Sequence, residues 1–362
     1  MISRMLLMWK ALFYSFNKKL SPLATIVGFL VLRLIVSFGL AMDHIFFPGI
    51  RKKRISKPVV IVGNPRSGTT FMQRFLVNNG LGAGMRIWKM LYPSLTLQTL
   101  IKPFLPTMEK FSPARHHSSA VHETSLNGIE TDDPALLFRF FDGFFVYGFF
   151  LAWAQEDLKY MFDPKNRDTS ERDFAYLRKI WIRNLKGEKQ ERMIPKIFSL
   201  SVRIPQFLKE FPDAKILYLV RDPLSTVPSG LSLVTGVLDN RFGFWELSEE
   251  KRQKYIDRLY NGLLELSIVF HDDYVSGRIP KESIKIVRYD RMMSDFDSLM
   301  DEIMVFIGDT PSENLKKTIN ETAEKQKAYK SGHKYDLEKF GLSEEKIRKD
   351  YAVIYETFLP SS

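Results

Sequence analysis

The chain has 362 residues, 45% of them hydrophobic, enough to bury one large core or a single α/β domain with appendages. Its 53 Lys and Arg outweigh 42 Asp and Glu, and the formal net charge of +11 favours nucleic acid, a membrane surface or phosphorylated small molecules as partners. Cysteine is absent, which excludes thiol catalysis, Cys-bearing zinc sites and disulfides together and favours a reducing compartment.

Residues 5–20, "MLLMWKALFYSFNKKL", mix apolar and basic side chains in the manner of a helix lying in a lipid headgroup layer. Residues 22–42, "PLATIVGFLVLRLIVSFGLAM", form an apolar stretch as long as a bilayer core requires, roughly 20 residues. Arg33 stands at its centre, where an arginine costs about 2.5–3.5 kcal/mol on insertion scales. A spanning helix and an in-plane anchor are therefore level, and both stand ahead of a soluble helical arm. The apolar stretch starts too late for a cleaved signal peptide. The basic run "RKKR" (51–54) suits the anionic cytoplasmic leaflet. The expected division is a membrane-associating helical segment over 1–54 and a second domain over 55–362, facing the cytoplasm.

After Pro58 the pattern alternates strands with helices. "PVVIVG" (58–63) and "AKILYLV" (214–220) read as buried strands, and "SIKIVRY" (283–289) as a third strand. "TTFMQRFLVNNG" (69–80) reads as a helix ended by Gly80, residues 170–190 as a surface helix, and 294–308 as a helix closing at Gly308. Pro93, Pro103, Pro106 and Pro113 break 85–135 into short helices and loops. "FRFFDGFFVYGFFLAW" (138–153) reads as a buried core element or as the wall of an apolar pocket. Strands separated by helices predict an α/β fold, a P-loop-like and mostly parallel sheet flanked by helices, with an apolar helical N-terminal extension.

"GNPRSGTTFMQ" (63–73) carries the chemistry. Gly63, Gly68 and Thr70 keep the spacing of the nucleoside-triphosphatase loop G-x-x-x-x-G-K-[ST], but Thr69 stands in the lysine position. Strand, glycine turn and helix start make an anion site, to which Ser67, Thr69 and Thr70 add hydroxyls and Arg66 a fixed bidentate charge. A second stretch, "KILYLVRDPLSTVPSG" (215–230), places Arg221 at a strand end and Ser229 eight residues later.

Together, "PRSGTT" and the Arg221–Ser229 pair resemble the sulfotransferase superfamily, and "WKMLYPSL", "LKEFPDAKILYLVRDP" and "GHKYDLEKFGLSEEKI" are similar to its bacterial-type branch. The resemblance implies 3′-phosphoadenosine-5′-phosphosulfate as donor, and sulfuryl transfer needs no metal. It implies that Arg66, Ser67, Gly68, Thr69 and Thr70 hold the 5′ end, Arg221 and Ser229 the 3′-phosphate, and Phe71 and Tyr289 (in "VRYDRM") the adenine. A bisphosphorylated nucleotide accounts for part of the positive charge, and no nucleic-acid partner is expected.

The family's upstream Lys-Thr-His is "PKIFSL" here, which keeps Lys196 and puts Phe198 in the place of the histidine base. Lys89 replaces another acid of the branch. His122 and Glu130 keep the spacing of its His-to-Glu pattern, so His122 is the expected base, with Glu130 second or orienting it. Asp132 and Asp133 precede Pro134, and one of them reads as a helix N-cap; His116 and His117 read as solvated. The family's C-terminal Arg-Lys-Gly is missing, with Lys330, Ser331 and His333 as substitutes. The expectation is sulfuryl transfer, with Arg66, His122 and Glu130 catalytic, to a hydroxyl of a lipid or other amphiphile. The alternatives are a nucleotide or nucleoside kinase, or a basic membrane- or nucleic-acid-binding protein without catalysis.

Overall fold

Three runs of aliphatic residues form parallel strands: β1 (Val59–Val62), β2 (Lys215–Val220) and β3 (Ile284–Arg288), in the order β1-β2-β3. In this computed structural model the described residues are 1–17, 20–111, 125–186, 188, 190–329 and 336–360. The register sets Ile61 beside Leu217 and Tyr218 beside Ile286. Strand side chains alternate between faces, and here both faces are covered. Val60, Ile216 and Tyr218 point into the main core, while Val59, Ile61, Leu217 and Val287 point into a second cluster. On the free side of β1, Val59 N donates to Met193 O and Ile197 N to Ile61 O, so residues 193–197 extend the sheet. The expected mostly parallel sheet flanked by helices is the fold observed, with each strand within a residue of its expected bounds.

The helix Ser170–Lys186 departs from the surface helix expected there. Leu177, Ile180 and Trp181 are fully buried, and the Trp181 indole donates to Asp132. Its exposed charged residues, such as Glu171 and Lys179, lie on the outer face, while Asp173 and Arg183 are buried in ion pairs that a composition-based reading does not separate from them.

The N-terminus forms α1 (Ile2–Phe16) and α2 (Leu20–Phe46). Met5, Met8, Leu12 and Phe16 recur at helical spacing and enter the main core, so α1 shares that core with the chain beyond residue 55. Arg4 donates to the carbonyls of Phe140 and Phe141. By length and composition α2 is able to cross a membrane. One side of it is nevertheless packed on protein. A Cβ at Gly39 would lie 2.6 Å from Leu97 Cγ, so the helix Leu95–Ile101 rests directly on the α2 backbone.

Asp43, near the end of α2, is fully buried. It accepts hydrogen bonds from Ser94 Oγ (2.8 Å), Thr96 N (2.8 Å) and Arg183 Nε (2.7 Å). Burial pushes its carboxyl up, but the hydrogen bonds from Thr96, Arg183 and Ser94 hold it below the usual value. A folded value below the unfolded one means that the contribution is full above the ordinary carboxylate range and is lost as pH falls through it. We predict that Asp43→Ala lowers stability by about 3–5 kcal/mol, because Arg183 is left buried without its partner. Denaturant titrations at neutral and acid pH check this. A variant as stable as wild type at pH 7 would show that Asp43 does not hold α2 in place.

Candidate active site

The chain leaves β1 at Gly63 with φ 139°, and a Cβ there would sit 2.4 Å from the carbonyl oxygen of Leu219 in β2. Only glycine fits so close to a neighbouring backbone. Gly68 (φ 89°) precedes α3 (Thr69–Asn78), and a Cβ there would meet Met292 Cε at 2.4 Å and Tyr289 Cδ2 at 3.1 Å. Between the two glycines Arg66 holds a left-handed φ of 74°, a strained conformation for a residue with a side chain. Two bonds fix it: Arg221 Nη1 donates to Arg66 O (3.0 Å), and Arg66 Nε donates to Ser229 Oγ (2.9 Å). Ser67 Oγ donates to Asn64 O (2.7 Å), tightening the turn. Thr69 and Thr70 open α3, whose N-terminal amides and dipole favour an anion.

Ser229 stands on the helix Pro223–Phe242, which starts directly after β2 because Asp222 caps Leu224 N (2.9 Å) and Pro223 pre-sets the first turn. The Arg221 guanidinium lies 4.0 Å from the centre of the Tyr289 ring. Tyr289 itself follows β3. Arg66, Arg221, Ser229 and Tyr289 thus arrive from the carboxyl ends of three adjacent parallel strands, where open α/β sheets form their sites. Phe71 is half-buried and packs on Phe75 and Phe296 at the rim of the second core cluster, which it shares with Tyr289.

Lys196 was not among the residues expected in the donor site, although "PKIFSL" carried it. Its Nζ donates to Thr70 Oγ1 (2.7 Å) and lies 3.6 Å from Glu130 Oε2. Glu130 Oε1 in turn accepts from Arg74, one turn after Thr70 on α3, at 2.6 Å. Burial pushes the Lys196 ammonium below the ordinary lysine value, and Glu130 acts against it. Lys89 donates to Asn184 Oδ1 (2.9 Å). His122 lies outside the described residues, as do His116, His117, Lys330, Ser331 and His333.

Asp132 occupies the N-cap position of the helix Asp133–Phe140, but its carboxylate does not cap that helix, contrary to expectation. It accepts instead from Trp181 Nε1 (3.0 Å) and Lys196 N (3.1 Å). Asp133 accepts from Phe198 N (3.1 Å) and Ser199 N (3.2 Å). The two acids therefore clamp the backbone that presents Lys196. Phe198, in the place of the family histidine, packs against Phe144 (5.5 Å) and Phe145 (5.3 Å).

A parallel sheet with a glycine loop, a strand-end arginine and a helix N-terminus at one edge defines an α/β group-transfer enzyme. Residues 58–311 match the sequence profile of the Sulfotransferase family, and the chain belongs to that family. Among solved structures, the sulfotransferase STF9 from Mycobacterium avium is similar at a TM-score of 0.64 and 18% identity, over 88% of this chain and 81% of that one. STF1 from Mycobacterium tuberculosis H37Rv is similar at 0.65 and 15%, over 90% and 84%. At these identities the likeness is one of fold. No curated protein sequence matches the chain.

Burial raises the Asp132 carboxyl to about 7, against the opposing hydrogen bonds from Trp181 and Lys196. The folded state therefore keeps a proton that the unfolded chain gives up near pH ~4. That contribution is full below the unfolded value and is lost as pH rises towards about 7. Asp132→Asn has no such titration, so its stability relative to wild type is predicted to rise between about pH 4 and 7 and then level off, by roughly 1.4 kcal/mol per unit at most. Paired denaturation curves at pH 5 and pH 8 measure it. A constant difference would mean that Asp132 is ionised throughout.

Proposed function

We propose that the enzyme moves a sulfuryl group from 3′-phosphoadenosine-5′-phosphosulfate to a hydroxyl of a lipid or other amphiphile at the cytoplasmic face of a membrane. The observation that carries this reading is the meeting of Arg66, Arg221 and Ser229 around the Gly63–Gly68 loop, with Tyr289 against Arg221. Two cations beside a helix N-terminus suit a nucleotide with an anionic group at each end. In this reading Ser67, Gly68, Thr69 and Thr70 with Arg66 hold the 5′ end, and Arg221 with Ser229 holds the 3′-phosphate. Tyr289 and Phe71 form the adenine side. Lys196, bonded to Thr70, adds a charge at the 5′ end.

When bound, the donor supplies the sulfuryl group: a new bond forms between the acceptor oxygen and sulfur, the bond to the bridging phosphate oxygen breaks, and adenosine 3′,5′-bisphosphate leaves. Arg66 keeps its proton and acts as an electrostatic clamp, because arginine is not deprotonated in proteins. His122 takes the hydroxyl proton, on the strength of its sequence position. Glu130 positions Lys196, since its two oxygens face Arg74 and Lys196. The amphiphilic acceptor is supported by the apolar outer face of α2 and by Phe198, whose ring replaces a polar group beside Lys196. Exposed Arg51 and Lys52, just past α2, favour an anionic cytoplasmic leaflet.

Arg221→Ala and Ser229→Ala are predicted to weaken binding of adenosine 3′,5′-bisphosphate by about 1.5–3 kcal/mol while leaving adenosine 5′-phosphate almost unaffected. Calorimetric titration of both nucleotides reads this directly, and equal losses for the two would remove Arg221 from the 3′ site. In thermal-shift measurements adenosine 3′,5′-bisphosphate should stabilise the fold well above ATP with magnesium, the reverse of what a kinase would show.

For His122→Ala, kcat should fall roughly 10²–10⁴-fold with nucleotide affinity near wild type. Glu130→Gln should lose less. Transfer of labelled sulfate into a total lipid extract, followed by mass spectrometry, identifies the acceptor. Retention of normal kcat by both variants would place the base elsewhere, and label appearing only in water-soluble products would reject a lipid acceptor.

A further inference from the structure

A cavity of about 430 Å³ lies beneath the α1–α2 hairpin, within the roughly 300–1,000 Å³ range of small-molecule sites. Met8 and Leu12 of α1, Phe149 and Phe150, and Leu238 and Phe242 of the Ser229 helix form its wall. Among the described residues lining it none is charged. Its polar contributions come from Ser21 and Thr25, and the Thr25 hydroxyl is already donated to the Ser21 carbonyl (2.9 Å). Both residues are exposed, which puts the mouth of the cavity on the first turns of α2.

Two further observations say what the cavity holds. One is the row of aromatic side chains that lies between it and the donor loop. Phe198, two residues beyond Lys196, lies 5.3 Å from Phe145, whose ring stacks at 5.8 Å on Phe149 in the cavity wall. Ser229 and Leu238 share one helix nine residues apart, about 14 Å along its axis at 1.5 Å per residue. That separation is within the length of an extended alkyl chain whose hydroxyl stands at the loop.

The other observation is the helix at the mouth. Ile26, Phe29 and Leu30 of α2 pack on the main core, while Leu23, Val27 and Val31 face outward. Arg33 is half-buried, with Nη1 donating to Met1 Sδ, so the central charge is kept on the protein side. A helix packed on protein along one side leaves its uncharged apolar stripe available to a lipid layer.

We infer that this cavity binds the single apolar chain of the acceptor, taken directly from the lipid layer in which the outer stripe of α2 lies. The inference rests on the amphiphilic acceptor proposed above and adds a site for its tail and a route of entry. Thr25 is exposed, so Thr25→Trp fills the mouth without disturbing the core.

The test is equilibrium binding of a fluorescent long-chain primary alcohol to the full-length protein, offered free or in phosphatidylcholine–phosphatidylglycerol vesicles. Unlabelled alcohols of increasing length serve as competitors. The expected result is tight binding to wild type, competition that strengthens several-fold for every two methylenes added, and at least a tenfold loss in Thr25→Trp, with Ser21→Trp as a second blocking variant. Stabilisation by adenosine 3′,5′-bisphosphate should be unchanged in both. Val27→Glu with Val31→Glu should abolish uptake from vesicles and leave binding of the free alcohol intact. Unchanged binding in folded Thr25→Trp and Ser21→Trp, or competition independent of chain length, overturns the site. Undiminished uptake from vesicles by the double glutamate variant overturns the membrane route. Binding with the expected pattern but without sulfate transfer upholds the cavity and counts against the donor reading. Transfer to small soluble hydroxyls without binding of the alcohol does the reverse.

Discussion

The approach of Gly63 to the Leu219 carbonyl is the contact on which the rest of the site depends. The register places Val62 beside Tyr218, so the chain leaving β1 must cross β2 while β2 is still paired to β3. A Cβ at residue 63 would come within 2.4 Å of Leu219 O, and any larger residue would lift the loop away from the sheet. Arg66 would then lose the bonds that secure its left-handed backbone, one from Arg221 at 3.0 Å and one to Ser229 at 2.9 Å. Strain of that kind, of order 1–3 kcal/mol, persists only where the surroundings over-determine it. Here the over-determination comes from two neighbouring strand ends, so the loop is shaped before any anion arrives.

Those features were legible because they are local. Strand runs, glycine spacing and an arginine at a strand end are read from a few consecutive residues, and the bonds among Arg66, Arg221 and Ser229 follow once three strands are parallel and adjacent. Contacts that join distant segments were not legible. Lys196 and Thr70 are 126 positions apart, and nothing in either stretch names the other. Asp132 shows a local rule losing to burial. An acid ahead of proline at a helix start normally caps it, but here the Trp181 indole and the Lys196 amide compete for the carboxylate and win. With Phe198 the substitution was visible and its consequence was not, because the rings that surround it come from residues 144 and 145.

The N-terminus divides in the same way. Its composition makes α2 long and apolar enough to cross a membrane, but an almost uniformly apolar helix hides which face is turned to the protein. Arg33 looked like an obstacle to spanning; in the fold its guanidinium reaches Met1 Sδ on the inner side. Asp43 carried an unused signal. An acid at the end of an apolar run is seldom buried unless paired, so a cationic partner had to exist, and Arg183 supplies it. That pair fixes the end of α2 to the helix Ser170–Lys186, and the amide of Thr96 fixes it to the helix that follows Ser94.

Charge is distributed unevenly around the loop. On the α3 side, Glu130 stands between Arg74 and Lys196, so positive groups there are matched by a carboxylate. On the β2 side the hydrogen bonds and ring contact of Arg66 and Arg221 are with a hydroxyl, a carbonyl and an aromatic face, all neutral. Neutral partners orient a guanidinium without cancelling its charge, and charge-assisted bonds to an anion are roughly twice as strong as neutral ones. For the anion proposed above, the gain is therefore expected to be largest beside Arg221, whereas Lys196 already faces Glu130. The fold thus separates two tasks. Among the described residues, the β2 side presents guanidinium groups on neutral partners, and the α3 side holds a buried lysine beside a carboxylate.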